Sequence, residues 1–164
     1  MSKFLSRAVA GATVAVMGFS AVSANAATAT ADARARILAP ITVTKNTDLD
    51  FGTIVVGTTA GTATVSTAGA RTCTAALVCT GGTVSAANFS VSGTSGAVVT
   101  VATPASVSLA SGANNMSASL TSSAATVTLT GGTGTFNVGG VLSVGASQAA
   151  GNYVGTFTVT VDYQ

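Results

Sequence analysis

Histidine, glutamate and tryptophan are missing from this sequence, and only 6% of its residues are charged. Without His or Glu, the usual general acids and bases reduce to Asp32, Asp48, Asp50 and Asp162, so no catalytic site is expected. Asp48 and Asp50 could share a face if extended, as a calcium site would need, but two ligands fall short of the six or more oxygens calcium takes. Capping or solvation in a turn-to-strand segment accounts for both. Neither a metal nor another cofactor is expected. The scarcity of charge also removes the electrostatic attraction that nucleic acid or an anionic membrane surface would need.

Long apolar runs are absent too. The longest, Ala8 to Val22, follows Lys3 and Arg7 and ends at Ala24-Asn25-Ala26, the three-part layout of a secretory signal with an A-x-A cleavage site. Residues 1–26 are read as that signal, so the mature chain is expected to start at Ala27. No later stretch approaches the roughly 18 continuous apolar residues of a membrane span, and no direct membrane span is expected. Cleavage removes Lys3 and Arg7, leaving Arg34, Arg36, Lys45 and Arg71 against the four Asp and a net charge near zero. A surface of Thr, Ser, Gly and Ala with little net charge suits a protein that meets copies of itself. It suits a simple secreted protein equally well.

Cysteine is limited to Cys73 and Cys79. In a chain routed to an oxidising compartment these are expected to pair. A metal or redox site is the sharper alternative, but two thiols with no His make a poor ligand set.

What the chain has in abundance is Val and Thr, which favour an ordered sheet over disorder. From Ala27 the apolar residues recur at every second position: Ala29, Ala31, Ala33, Ala35, Ile37, Ala39, Ile41 and Val43, with Thr28, Thr30, Asp32, Arg34 and Arg36 between them. That period belongs to an extended chain and not to a helix, and Pro40 stops any helix from passing through. Lys45-Asn46-Thr47-Asp48 is expected to turn. Strands are then expected over 49–56, 62–66, 89–92, 97–102, 106–109, 116–120, 125–130, 141–144 and 153–163. They are separated by Gly-rich breaks at 81–82, 93–96, 111–115, 131–132 and 139–140. Many short strands with regular turn signals predict an all-β, immunoglobulin-like β-sandwich. The absence of a fixed repeat disfavours a solenoid and, with it, an ice-contacting Thr ladder.

The closing segment is the most informative. After Gly151, the residues Tyr153, Phe157, Val159, Val161 and Tyr163 fall on one face and Thr156, Thr158, Thr160 and Asp162 on the other. Such a strand buries one side and leaves the other wet.

This ending resembles that of the chaperone-usher pilins, whose subunits close on an alternating strand with a penultimate Tyr, here Tyr163, and a Gly fourteenth from the end, here Gly151. Leu49-Asp50-Phe51-Gly52, Phe89-Ser90-Val91-Ser92-Gly93 and the stretch from Gly151 to Phe157 also resemble a poorly characterised family of exported pilin-like domains. The resemblance covers most of the mature chain. It implies a sandwich over 40–164 that lacks its last strand, so that a groove lies open along Gly151, Tyr153, Phe157, Val159, Val161 and Tyr163. It further implies that residues 27–39 are a donor strand whose Ala29, Ala31, Ala33, Ala35 and Ile37 enter the groove of the next copy. The partners implied are the chain itself, a periplasmic chaperone and an outer-membrane usher. The implied route is export through the inner membrane, transit of the periplasm and display on the cell surface in a fimbria, with a role in cell adhesion.

Two features depart from the pilin pattern. The cysteines close a local loop instead of joining early strands, and the tail's plugs are mostly Ala, each forgoing about 0.8 kcal/mol of burial per missing methylene. The alternative is that the tail is the domain's own first strand. A soluble secreted sandwich binding a carbohydrate is the competing expectation from another functional class.

Overall fold

A computed structural model describes residues 26–164; the expected signal, apart from Ala26, lies outside the described residues. The chain divides into two units, residues 1–35 and 36–164. In the first, residues 26–35 are exposed and without regular secondary structure, and Arg34 pairs with Asp32 at 2.8 Å.

The second unit is an antiparallel β-sandwich, and no helix occurs among the described residues. Its strands are β1 (Thr42–Thr47), β2 (Ile54–Val56), β3 (Gly61–Val65), β4 (Arg71–Cys73), β5 (Leu77–Cys79), β6 (Ala87–Ser92), β7 (Val98–Ala102), β8 (Ser106–Ser111), β9 (Asn114–Ser122), β10 (Thr126–Thr128), β11 (Thr133–Val144) and β12 (Thr160–Tyr163). A seven-stranded sheet runs β1-β6-β11-β3-β4, with β9 also on β11 and β8 on β9. A three-stranded sheet, β10-β7-β12, and the pair β2-β5 complete the fold.

β11 organises the interior. Its first half pairs β6, from Thr133 opposite Ser92 to Val138 opposite Ala87, while its second half lies between β3 and β9. Its inward side chains therefore serve two clusters. Phe136 and Val138 join Phe89, Val91, Val99, Leu129 and Val161, whereas Leu142 and Val144 join Phe51, Val65, Leu77 and Ala118. Burial of this kind contributes about 25 cal/mol for each Å² of apolar surface removed from water.

Several expectations shift here. Gly139 and Gly140 do not break the chain; they lie inside β11, and a side chain at Gly139 would run into the backbone of Val65 and Ser66. A side chain at Gly140 would meet the Ser119 carbonyl on β9, so close approach of β3 to the first and of β9 to the second explains them better than a turn. The Lys45–Asp48 turn begins later than expected, because β1 continues to Thr47 with Asn46 bulged between Lys45, opposite Phe89, and Thr47, opposite Asn88. Asn46 tolerates this position because its amide joins a chain across three strands. Asn46 Nδ2 donates to Asn88 Oδ1 and Asn88 Nδ2 to Asn137 Oδ1, both at 2.6 Å, and Asn137 Nδ2 to the Thr67 carbonyl at 2.9 Å. The cysteines do form a disulfide, with Cα atoms 6.3 Å apart, and each stands at the end of a short strand the sequence did not suggest, β4 and β5.

Candidate functional site

Leu49-Asp50-Phe51-Gly52 shapes one end of the domain. Phe51 is buried, and Asp50 Oδ1 accepts the Gly52 N–H at 2.8 Å, closing a tight turn. Gly52 has φ +69°, and a Cβ there would meet the Arg71 guanidinium. Arg71 Nη1 donates to the Phe51 carbonyl at 2.8 Å, and Nη2 donates to the Thr80 carbonyl. One cation thus ties the turn to the strand carrying Cys79.

The closing segment alternates as expected: Tyr153, Phe157, Val159 and Tyr163 are half-buried and Val161 is buried, while Val154, Thr156, Thr158, Thr160 and Asp162 are exposed. As a ladder it is much shorter than expected. Val154 makes one isolated bridge, exchanging hydrogen bonds of 2.9 and 3.0 Å with Ala110, and regular pairing resumes only at Thr160, on β7.

This segment runs beside the start of the domain in the opposite direction. At one end the Tyr163 hydroxyl donates to the Ala39 carbonyl at 2.7 Å and accepts the Thr94 N–H at 2.7 Å. In the middle, Lys45 and Phe157 line a common opening, and at the far end Asp50 and Tyr153 line another. Among the described residues β1 pairs only β6, and β12 only β7. Among the described residues no backbone hydrogen bond links 40–50 to 153–163. An unpaired seam thus separates the first strand from the last.

Two openings along this seam reach the interior. The smaller, about 160 Å³, is lined by Lys45, Asp48, Leu49, Ala87, Phe89, Gly155, Thr156 and Phe157. Its floor is aromatic, since Phe89 stacks on Phe136 at 5.2 Å between centroids and meets Phe157 edge-on at 6.3 Å. The larger, about 460 Å³, is lined by Leu49, Phe51, Ile54, Val56, Leu109, Met116, Leu142, Val144, Gly151 and Tyr153, among others. Leu49 belongs to both and stands between them.

The chemistry on offer is mainly apolar, with Asp50, Gln148, Asn152 and Tyr153 as the polar side chains at the larger opening. Among the described residues, Asp50 is the single charged side chain at the larger opening. The Tyr153 hydroxyl is already engaged, donating to the Ala149 carbonyl at 2.8 Å and accepting from Gln148 Nε2 at 2.9 Å. Such a cleft accepts aliphatic side chains. At the smaller opening Lys45 is paired with Asp48 at 2.6 Å.

The structure therefore brings together Gly151, Tyr153 and Phe157 at the openings, with Val159, Val161 and Tyr163 packed on the neighbouring core. Of the tail residues, Ala29, Ala31, Ala33 and Ala35 are exposed, and Ile37 is 93% exposed. Sequence reasoning missed Leu49, Asp50, Phe89, Leu142 and Gln148 as cleft residues. The first three lay within motifs already singled out, whereas Leu142 and Gln148 had no local signal.

No curated protein matches the chain. A family model described as "Domain of unknown function (DUF4402)" matches residues 41–163, a span that takes in the whole sandwich and both openings of the seam, and by that match the chain belongs to the DUF4402 family.

Proposed function

We propose that this chain is an exported structural subunit that polymerises on the cell surface by donor-strand exchange, the tail of one copy completing the sandwich of the next. The observation that carries the proposal is the unpaired seam between β1 and the closing segment, where two openings are lined by the core residues Phe89 and Phe51. Residues 27–39, extended at about 3.3 Å each, span about 40 Å. That matches the length of the seam from Ala39 to Asp50. The tail would gain main-chain hydrogen bonds along both free edges and place alternate side chains over the openings. Until a tail arrives, the exposed edges favour wrong pairing, which is the physical need for a periplasmic chaperone and an outer-membrane usher as partners.

The test is a fusion. A spare copy of residues 27–39 appended to the C-terminus should yield a soluble, more stable monomer by ultracentrifugation, whereas the unfused mature chain should aggregate or form fibres visible by negative stain. A chain without residues 27–36 that stays monomeric and melts as the fusion does would end the proposal.

A further inference from the structure

The larger opening is also a cleft of small-molecule size. Its volume, about 460 Å³, falls within the roughly 300–1,000 Å³ of ligand clefts. Leu109 on β8 stands opposite Met116 on β9, and with the buried Leu142 and Val144 of β11 they make its floor. Ile54 and Val56, the two half-buried positions of β2, line it from another side. The segment facing them is braced at both ends. Gln148 Nε2 donates to the Asn115 carbonyl at 3.3 Å and to the Tyr153 hydroxyl at 2.9 Å, and that hydroxyl donates to the Ala149 carbonyl at 2.8 Å. Ala149, Ala150 and Gly151 follow Gln148, so this stretch offers nothing longer than a methyl group to fold over the floor.

Asp50 stands at the rim of this cleft with its side chain exposed. Its backbone exchanges hydrogen bonds of 2.9 and 3.1 Å with Ser85, and its Oδ1 accepts the Gly52 N–H, so the carboxylate is held in place. Among the described residues it is in no ion pair. Lys45 is taken by Asp48, Arg34 by Asp32, and Arg71 gives both Nη groups to the carbonyls of Phe51 and Thr80. A fixed negative charge at the mouth of an apolar floor complements a ligand with a positive head and an aliphatic chain. A carboxylate head would meet like charge. A sugar would lay its hydroxyls against Met116, Leu142 and Val144, where they find no partner.

We infer that the larger opening is a binding site for a small aliphatic amine, its chain lying on Met116, Leu142 and Val144 and its ammonium donating to Asp50. The site is complete within one copy and does not depend on the donor-strand proposal, although a tail side chain in the opening would compete with the amine. The probes are octylammonium, octanol and octanoate, each below its micelle concentration. Met116 is the one methionine left once residues 1–26 are removed, so a labelled methionine methyl group reports on the floor alone. Octylammonium should shift that signal and, by equilibrium dialysis at low salt, bind about fivefold more tightly than octanol, the upper end of what an exposed ion pair gives. Octanoate should bind more weakly than either. Asp50→Asn, which keeps an acceptor for the Gly52 N–H, should bring the amine down to the affinity of octanol and leave octanol unchanged. Where the chain assembles too fast for dialysis, the amine should slow assembly and octanoate should not. Equal binding of all three probes, or a Met116 signal that none of them moves, overturns the site. Fibres that form at an unchanged rate in the amine, with no shift at Met116, overturn it and leave donor exchange standing. A saturable, Asp50-dependent site in a chain that never forms fibres upholds it and overturns the donor-strand proposal.

Discussion

Tyr163 and Ala39 are joined by a hydrogen bond of 2.7 Å from the Tyr hydroxyl to the Ala carbonyl, across 124 residues of sequence. The same hydroxyl accepts the Thr94 N–H, so a single side chain fastens the last strand, the turn after β6 and the point where the tail leaves the domain. Removing it with Tyr163→Phe leaves that N–H without its acceptor and should lower stability by about 1–2 kcal/mol. Thermal denaturation reads the loss, and hydrogen exchange should show faster exchange at Thr94. Unchanged exchange there would remove the hydroxyl from this role.

Arg71 and Gly52 form a second fastening. Arg71→Met should cost about 1–3 kcal/mol, because the part-buried Phe51 carbonyl loses its charged donor. Gly52→Ala should cost more than the roughly 1 kcal/mol of an ordinary Gly-to-Ala strain, since the methyl group meets a positive φ and the guanidinium together. Chemical denaturation of the two variants and their combination checks this. Coupling is expected, with the double variant less destabilised than the sum of the singles.

The disulfide should be read directly by mass. The purified chain should be two hydrogens lighter than its reduced form and resist thiol labelling unless reduced. Reduction should lower stability by about 2 kcal/mol, the modest value of a short loop. Stoichiometric labelling without a reductant would contradict the pairing.

The tail is probed by contrast between its two faces. Ala33→Asp should abolish fibres, because a carboxylate would be carried into a site fit for a methyl group at a cost of several kcal/mol. Thr30→Asp, on the other face, should assemble normally. In a fusion whose appended tail copy is unaltered, Ala33→Asp in the N-terminal tail should leave the melting temperature unchanged. A drop there would make the run an ordinary first strand of its own domain.

How far the sequence reached is clearest in the closing segment. Its alternation from Tyr153 to Tyr163 was legible, and the burial follows it at every position but Gly155, which is exposed, because a period of two is a property of the extended chain itself. The pairing was not legible. Only Thr160–Tyr163 finds a ladder, on β7, since its hydrogen-bond partners, Ala102 to Val99, come from a strand far earlier in the chain and leave no mark on local pattern. The same limit explains Gly139-Gly140, which read as a break and lie within β11, their meaning set by the approach of β3 and β9.

Composition and period by themselves determined the all-β class, the disulfide between Cys73 and Cys79 and the inward face of the last strand, since backbone sterics and side-chain chemistry act locally. The seam between β1 and the closing segment, the two openings on either side of Leu49 and the fastening of Phe51 by Arg71 were decided only by the tertiary structure. Each depends on which edges are left without a partner once every strand has packed, and that is a property of the whole chain and of no segment within it.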